Sequence, residues 1–171
     1  ISMAITIKAL VDAFLQALKE HKKAKRKNHV LNEGNIRFRK AVAFAKMVRR
    51  DATWSQFYLE QVPNCKSVFH LALRDALIGP QLCHPVIHPS KPCKPLTMEV
   101  QASDNFGVAR VFFQFKNSKG ELLEEGRGMP GGKGSTWSYS TTARAKDFSA
   151  CFVTITAYDL AGNKAVIHKS L

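Results

Sequence analysis

The sequence CFVTITAYDLAGNKAVIH at residues 151–168 carries the strongest structural signal in this chain. Its first half alternates strictly, with Cys151, Val153, Ile155 and Ala157 on one side and polar or aromatic residues between them. An alternation of period two is typical of a β-strand with one face in a core. The segment LAGN that follows predicts a tight turn, and KAVIH predicts a returning last strand. We therefore interpret this stretch as the central hairpin of a β-sandwich.

The same period of two extends back through the second half of the chain. Residues 98–102 and 111–115 alternate in the same way, and the turn-forming sequences DNFG and NSKG follow them. Short strands with frequent turn signals predict a β-sandwich over residues 96–171. The segment before it, residues 81–95, is rich in proline, which excludes a helix and favours a linker or an edge strand.

The first 80 residues show the three- and four-residue spacing of amphipathic helices instead. We predict helices over residues 5–20 and 35–50, with the apolar face of the second running from Phe38 to Val48. One or two further helices should extend to about residue 77, because Gly79 and Pro80 stop a helix there. This part is expected to form a basic helical domain, residues 1–80.

Two motifs resemble a known family. The pattern C-x-V-x-I-x-A-x-D-x-x-G at residues 151–162 resembles the penultimate strand of fibronectin type III and related bacterial Ig-like modules. SDNFGVARVFF at 103–113 and AYDLAGN at 157–163 are similar to the DNxGV and DxAGN signatures of bacterial Ig-like domains. The resemblance covers roughly residues 85–171 and implies an Ig-like fold and a bacterial source. Cys151 stands where the family usually has a tyrosine, so the tyrosine-corner hydrogen bond is not expected.

These observations predict an α+β chain in several parts. We expect an N-terminal segment of three or four helices, a proline-rich linker or edge strand, and an all-β sandwich of the Ig or fibronectin type III kind over residues 96–171. The resemblance suggests an extracellular or cell-surface location. In the first 23 residues the basic cluster follows the apolar part, the reverse of a signal peptide, so no signal peptide is expected. No apolar run has the length of a membrane-spanning helix.

The charge is strongly basic, with 26 lysines and arginines against 13 aspartates and glutamates. Most of the excess lies in residues 19–50, which predicts either an acidic partner such as nucleic acid or a solvated helix face. The candidate nucleic-acid contacts are Lys22, Lys23, Lys25, Arg26, Lys27, Arg39, Lys46 and Arg50. Single-strand binders stack bases on exposed rings, and residues 19–35 contain no aromatic side chain. Nucleic-acid binding through the basic helices is therefore the alternative hypothesis.

No catalytic constellation is evident in the sequence. The glycine-rich segment 126–136 departs from the phosphate-binding loop, because Gly134 follows Lys133 where that loop requires Ser or Thr. Cys83, His84, His88 and Cys93 suit zinc chemically, but their spacing matches no familiar zinc module. We interpret that segment as linker or edge strand, with a Cys83–Cys93 disulfide as a second alternative. We expect no enzyme activity, no cofactor and no bound metal.

The remaining candidates lie on the sandwich. The resemblance implies that DNFG and DLAGN lie at the same end of it, bringing Asp104, Asn105, Asp159 and Asn163 together. The two carboxylates could help to hold Ca²⁺, or they could accept hydrogen bonds from turn amides, which we favour. Phe112 should point outward and, with Phe152 and Tyr158, form an aromatic patch that packs on the helical part or meets an external partner. The prediction for the chain is a non-catalytic binding or structural module for an unidentified protein or glycan.

Overall fold

The computed structural model describes residues 32–62, 64, 67–88, 91–132 and 134–171. The chain divides into two compact units. The first comprises the residues up to Leu77 together with Leu160–Gly162, and the second comprises Ile78–Asp159 and Asn163–Leu171. None of the helices in the described ranges combines the length and the apolar character that crossing a membrane requires.

The first unit contains three described α-helices: α1, Glu33–Arg50; α2, Ala52–Gln61; and α3, Val68–Leu77. Both of the first two helices begin at a side-chain cap. The Asn32 side chain accepts a hydrogen bond from the Gly34 N–H, and the Asp51 side chain accepts one from the Trp54 N–H. Arg50 lies in the last turn of α1, where a cation stabilises the negative end of the helix dipole.

The core of the helical unit is aromatic. Trp54 on α2 is almost fully buried and stacks on Tyr58, with the ring centroids 6.2 Å apart. Phe44 on α1 meets Trp54 edge-on at 6.0 Å. The Tyr58 hydroxyl donates a hydrogen bond to Asp75 Oδ2 on α3 at a distance of 2.5 Å, and both residues are fully buried. The buried face of α1 starts only at Ala41, so Phe38, which was predicted on that face, is 51% exposed.

The second unit is built from two four-stranded antiparallel sheets. Sheet A has the order β1-β2-β6-β5 and sheet B the order β4-β3-β7-β8. The strands are β1, Gln81–His88; β2, Pro95–Ser103; β3, Val108–Lys116; β4, Leu122–Arg127; β5, Met129–Pro130; β6, Thr136–Arg144; β7, Phe152–Asp159; and β8, Lys164–Ser170. β1 therefore occupies most of the proline-rich segment 81–95 and lies at the edge of sheet A.

The inward faces of the two sheets form one hydrophobic core. Sheet A contributes Met98 and Val100 from β2, and sheet B contributes Phe113 from β3 and Ile155 from β7, all at most 1% exposed. Along β7, buried and half-buried residues alternate at every position. The alternation predicted for residues 151–157 is thus confirmed, and β7 lies in the interior of sheet B between β3 and β8.

The predicted overall arrangement, an N-terminal segment of three or four helices followed by an all-β sandwich, is wrong. The helices that the structure describes lie mid-chain, between Glu33 and Leu77, and the predicted helix over residues 5–20 lies outside the described residues. The region after them is not purely β either, because a 3-10 helix, Ala145–Phe148, separates β6 from β7. The Asp147 side chain accepts a hydrogen bond from the Arg144 N–H and stabilises this turn, a local cap that a search for period-two alternation overlooks.

Candidate binding surface

The loops after β2 and at the end of β7 meet, as the sequence analysis expected. A carboxylate oxygen of Asp104 lies within 4.8 Å of one of Asp159. Asn105 is exposed and lines a cleft of about 330 Å³ together with Ser103 and Asp104. The structure therefore places the predicted loop residues at the same end of the two-sheet unit.

The carboxylates of Asp104 and Asp159 each accept hydrogen bonds from the turn in which they lie. Asp104 Oδ2 accepts from the N–H groups of Phe106 and Gly107, at 3.0 and 3.3 Å. Asp159 accepts from the Asn163 N–H through Oδ1 and from the Asn163 side-chain amide through Oδ2, each at 2.7 Å. Gly107 has φ +117°, a conformation that favours glycine. Each carboxylate thus accepts hydrogen bonds from amides of its own turn, the role that the sequence analysis favoured.

The basic face of α1 is in part as predicted. Arg39, Lys46 and Arg50 are all exposed, and their spacing places them on one side of the helix. Lys46 and Arg50 line an open groove of about 500 Å³. The other predicted cations, Lys22, Lys23, Lys25, Arg26 and Lys27, lie outside the described residues.

The cysteine and histidine candidates do not converge. In the ranges that the structure describes, no three of Cys83, His84, His88 and Cys93 come within metal-ligand reach of one another. Cys83 and Cys93 are both exposed and free, so the disulfide alternative is wrong. His84 lies at the irregularity in β1 between Cys83 and Val86, with φ +51°.

A second group of polar and aromatic side chains lies on the side of sheet B that faces away from the core. We define the outer face of sheet B by the cross-strand register, which places the outward residues of its four strands in rows. One row crosses the sheet as Arg127, Phe112, Thr156 and Val166. The next row consists of Arg110, Tyr158 and Lys164. The third row consists of Glu125, Gln114, Thr154 and His168, and the fourth of Lys116, Phe152 and Ser170.

An arginine and two aromatic rings form the centre of this face. The Arg110 guanidinium carbon lies 4.7 Å from the centre of the Tyr158 ring and 5.8 Å from that of Phe112. The two rings meet edge-on, with their centroids 6.2 Å apart. All three side chains are half-buried, and the cation–π contacts hold the guanidinium in place on the sheet. Phe112 therefore points away from the core as predicted, while its contact with a partner stays a prediction.

The charges on the outer face of sheet B are unbalanced. Its cross-strand rows contain the cations Arg110, Lys116, Arg127 and Lys164 and the carboxylate Glu125. Glu125 accepts a hydrogen bond of 2.9 Å from Gln114. Arg127 and Lys164 are exposed, and they lie on β4 and β8, at opposite edges of the sheet. This face is therefore a cationic surface with aromatic side chains on its two central strands.

A polar cluster connects the two sheets on their inner side. Glu124 on β4 accepts hydrogen bonds from the Tyr139 hydroxyl at 2.8 Å and from the N–H groups of Thr142 and Ala143 at 2.7 and 3.1 Å, all on β6. Burial by itself raises the pKa of Glu124, but these hydrogen bonds outweigh it and hold the pKa below its ordinary value of 4.5. Burial, the hydrogen bond to Glu124 and its charge raise the pKa of Tyr139 to about 12. The cluster is a clamp between the sheets.

Replacing Glu124 with glutamine is expected to lower the free energy of unfolding by about 1–2 kcal/mol near neutral pH, because the amide loses the charge that strengthens these bonds. A lowered pKa in the folded state stabilises the protein above pH 4.5, and this contribution is lost as the pH falls through the lowered value. The difference between Glu124→Gln and wild type should therefore shrink in acid. Urea denaturation over a pH series measures it.

The neighbouring variant Glu125→Gln is the control, since Glu125 is exposed and accepts a hydrogen bond from Gln114 on the outer face. It should change stability by less than about 0.5 kcal/mol. A Glu124→Gln deficit that stays constant across the acid range would contradict the role given to the Glu124 charge.

Comparison with known proteins adds no relative: no family model, no curated protein and no solved structure matches this chain. The sequence analysis missed Arg127 and Lys164 as surface residues, because only the cross-strand register brings side chains of β4 and β8 beside those of β3 and β7. It also missed Glu124 and Tyr139, which carry no local signal, since the contact joins two sheets.

Proposed function

We propose that this chain is a non-catalytic binding protein that contacts an anionic partner through the outer face of sheet B. The observation that carries the proposal is the placement of Arg110 against the rings of Phe112 and Tyr158. A guanidinium held by aromatic rings loses less conformational freedom when it binds a carboxylate, sulfate or phosphate. The charged residues in the cross-strand rows of this face are mostly cations, so the surrounding field favours an anion.

Two further observations support a binding role. The side chains with displaced pKa values, Glu124 and Tyr139, hydrogen-bond to each other between the two sheets, which is a structural role. The strand orders β1-β2-β6-β5 and β4-β3-β7-β8 correspond to the A-B-E-D and C′-C-F-G orders of Ig-type sandwiches. We therefore propose that the two-sheet unit is an Ig-like module, a scaffold that serves many binding functions.

The test is the affinity of the full chain for three anionic probes: poly-glutamate, heparin and a short oligothymidylate. Arg110→Gln is expected to weaken binding of the preferred probe by roughly tenfold, the cost of one charge-assisted hydrogen bond. Lys40→Gln is the charge-matched control, because Lys40 is an exposed cation on α1. Equal losses in the two variants would mean that net charge alone attracts the probes, and would contradict the proposal.

Nucleic-acid binding through the basic helices is the second candidate, favoured by the exposure of Arg39, Lys46 and Arg50 on one side of α1. Binding of this kind rests on phosphate contacts and weakens steeply with salt, whatever the base sequence. The triple variant Arg39→Gln/Lys46→Gln/Arg50→Gln should then lose affinity for single-stranded and duplex DNA equally. An unchanged affinity would exclude these three residues from the interface.

A further inference from the structure

We infer that the anionic partner of the outer face of sheet B is single-stranded nucleic acid. This inference rests on the proposed function and names the class of partner for the same surface. Three features of the face support it: the position of its rings, the position of its cations and the supply of hydrogen-bonding groups between them.

The rings lie on the two central strands of a four-stranded sheet. Phe112 is on β3 and Tyr158 is on β7, and these strands pair along their length. Sheets that bind single strands also carry aromatic side chains on their strands, and these rings stack against unpaired bases. Poly-glutamate and sulfated glycans offer charge but no aromatic ring for stacking, and the bases of a duplex are already stacked on one another. The aromatic interleaving that residues 19–35 lack is therefore present on this face.

The cations lie around the rings. Arg127 on β4 and Lys164 on β8 occupy the two edges, in the same rows as Phe112 and Tyr158. With strands about 4.8 Å apart, β4 and β8 are separated by about 14 Å. A single-stranded nucleic acid whose bases stack on the central rings can thus place its phosphates near the lysine or arginine at either edge of the sheet. Phosphate contacts of this type supply affinity, while the ring contacts distinguish bases from bare phosphates.

Polar groups near the rings suit base edges. Thr156 lies beside Phe112 in its row, and Thr154 and His168 form a hydrogen-bonded pair, Oγ1 to Nδ1 at 3.0 Å. Hydroxyl and imidazole groups donate or accept as the partner requires. They can therefore serve any of the bases, and we expect little sequence preference.

The experiment compares two labelled probes of equal charge and length, an oligothymidylate and the same backbone with abasic sites, by fluorescence anisotropy on the full chain. Wild type should bind the oligothymidylate more tightly than the abasic strand. Phe112→Ser and Tyr158→Ser should each weaken the oligothymidylate complex by roughly fivefold or more, as loss of one stacked base predicts, and should leave the abasic complex nearly unchanged. Lys164→Gln should weaken both complexes to a similar extent.

Met129→Ser is the control variant, because it removes a 68% exposed apolar side chain from sheet A. It should not change the affinity for either probe. Melting temperatures of all variants are measured alongside, so that a loss of binding is read only from folded protein. Duplex DNA added as a competitor should displace the oligothymidylate only weakly, because the single strand is preferred.

Equal affinity for the two strands, or ring variants that bind the oligothymidylate as wild type does, would overturn the inference. If heparin or poly-glutamate then binds in an Arg110-dependent way, the proposed function stands and only the class of partner is wrong. If no anionic probe depends on Arg110, both the inference and the proposed function fail.

Discussion

Replacing Gly126 with alanine is expected to destabilise the two-sheet unit by roughly 3–5 kcal/mol. Gly126 lies on β4 opposite Phe113, and a Cβ at this position would be 2.2 Å from Cε2 of Tyr139. The Tyr139 ring cannot move aside without losing two contacts, its stacking on Phe113 at 5.5 Å and its hydrogen bond to Glu124. The estimate adds the cost of overpacking to that of a broken charge-assisted hydrogen bond.

Gly132 provides the matched control for this experiment. A Cβ there meets nothing within 4 Å, and its φ lies outside the left-handed region. Gly132→Ala should be neutral or stabilise slightly, because alanine restricts the unfolded chain. Thermal melting should separate the two variants by more than about 10 °C. A Gly126→Ala protein as stable as wild type would show that the Tyr139 ring is not held between the sheets.

Trp54→Ala is expected to cost the helical unit about 3–5 kcal/mol. Trp54 is 2% exposed and contacts the rings of Phe44, Phe57 and Tyr58. Removing it leaves a large cavity at the centre of a unit with short helices, where little else can fill the space. Urea denaturation followed by the helical circular dichroism signal measures the loss.

Trp54→Phe separates the loss of ring packing from the loss of the indole N–H group. The indole Nε1–H is buried and has no acceptor among the described residues. Phenylalanine therefore keeps an aromatic ring and removes an unpaired donor, and the variant should lose less than about 1.5 kcal/mol. A Trp54→Phe loss as large as that of Trp54→Ala would contradict the account of this core.

The sequence predicts the parts of this structure that depend on local pattern. The alternation along residues 151–157 identifies β7 and its buried face, and the glycine and aspartate of DNFG identify the turn after β2. Asp104 and Asp159 were placed together through a resemblance in loop sequences, and the structure brings their carboxylates close. The alternation along β7 and the DNFG turn are each encoded within about ten consecutive residues, whereas the proximity of Asp104 and Asp159 came from the resemblance.

What the sequence does not predict depends on pairing between distant segments. Tyr139 lies 13 residues from Gly126 in the chain, and nothing in either segment shows that the ring covers the glycine. In the same way, Arg127 and Lys164 belong to the outer face of sheet B only because β4 and β8 lie on either side of β3 and β7. Amphipathic spacing located the helices over residues 35–50 and up to about residue 77, but the predicted arrangement as an N-terminal segment is wrong, because the described helices lie mid-chain.

The most direct test of the binding surface is a footprint of the full chain. Backbone amide resonances of isotope-labelled protein are recorded while a short oligothymidylate is added. A single-stranded partner on the outer face of sheet B predicts that the largest shifts fall on the outward residues of β3 and β7, centred on Arg110, Phe112 and Tyr158. Shifts confined to α1 around Arg39, Lys46 and Arg50, with the outer face of sheet B unperturbed, would contradict it.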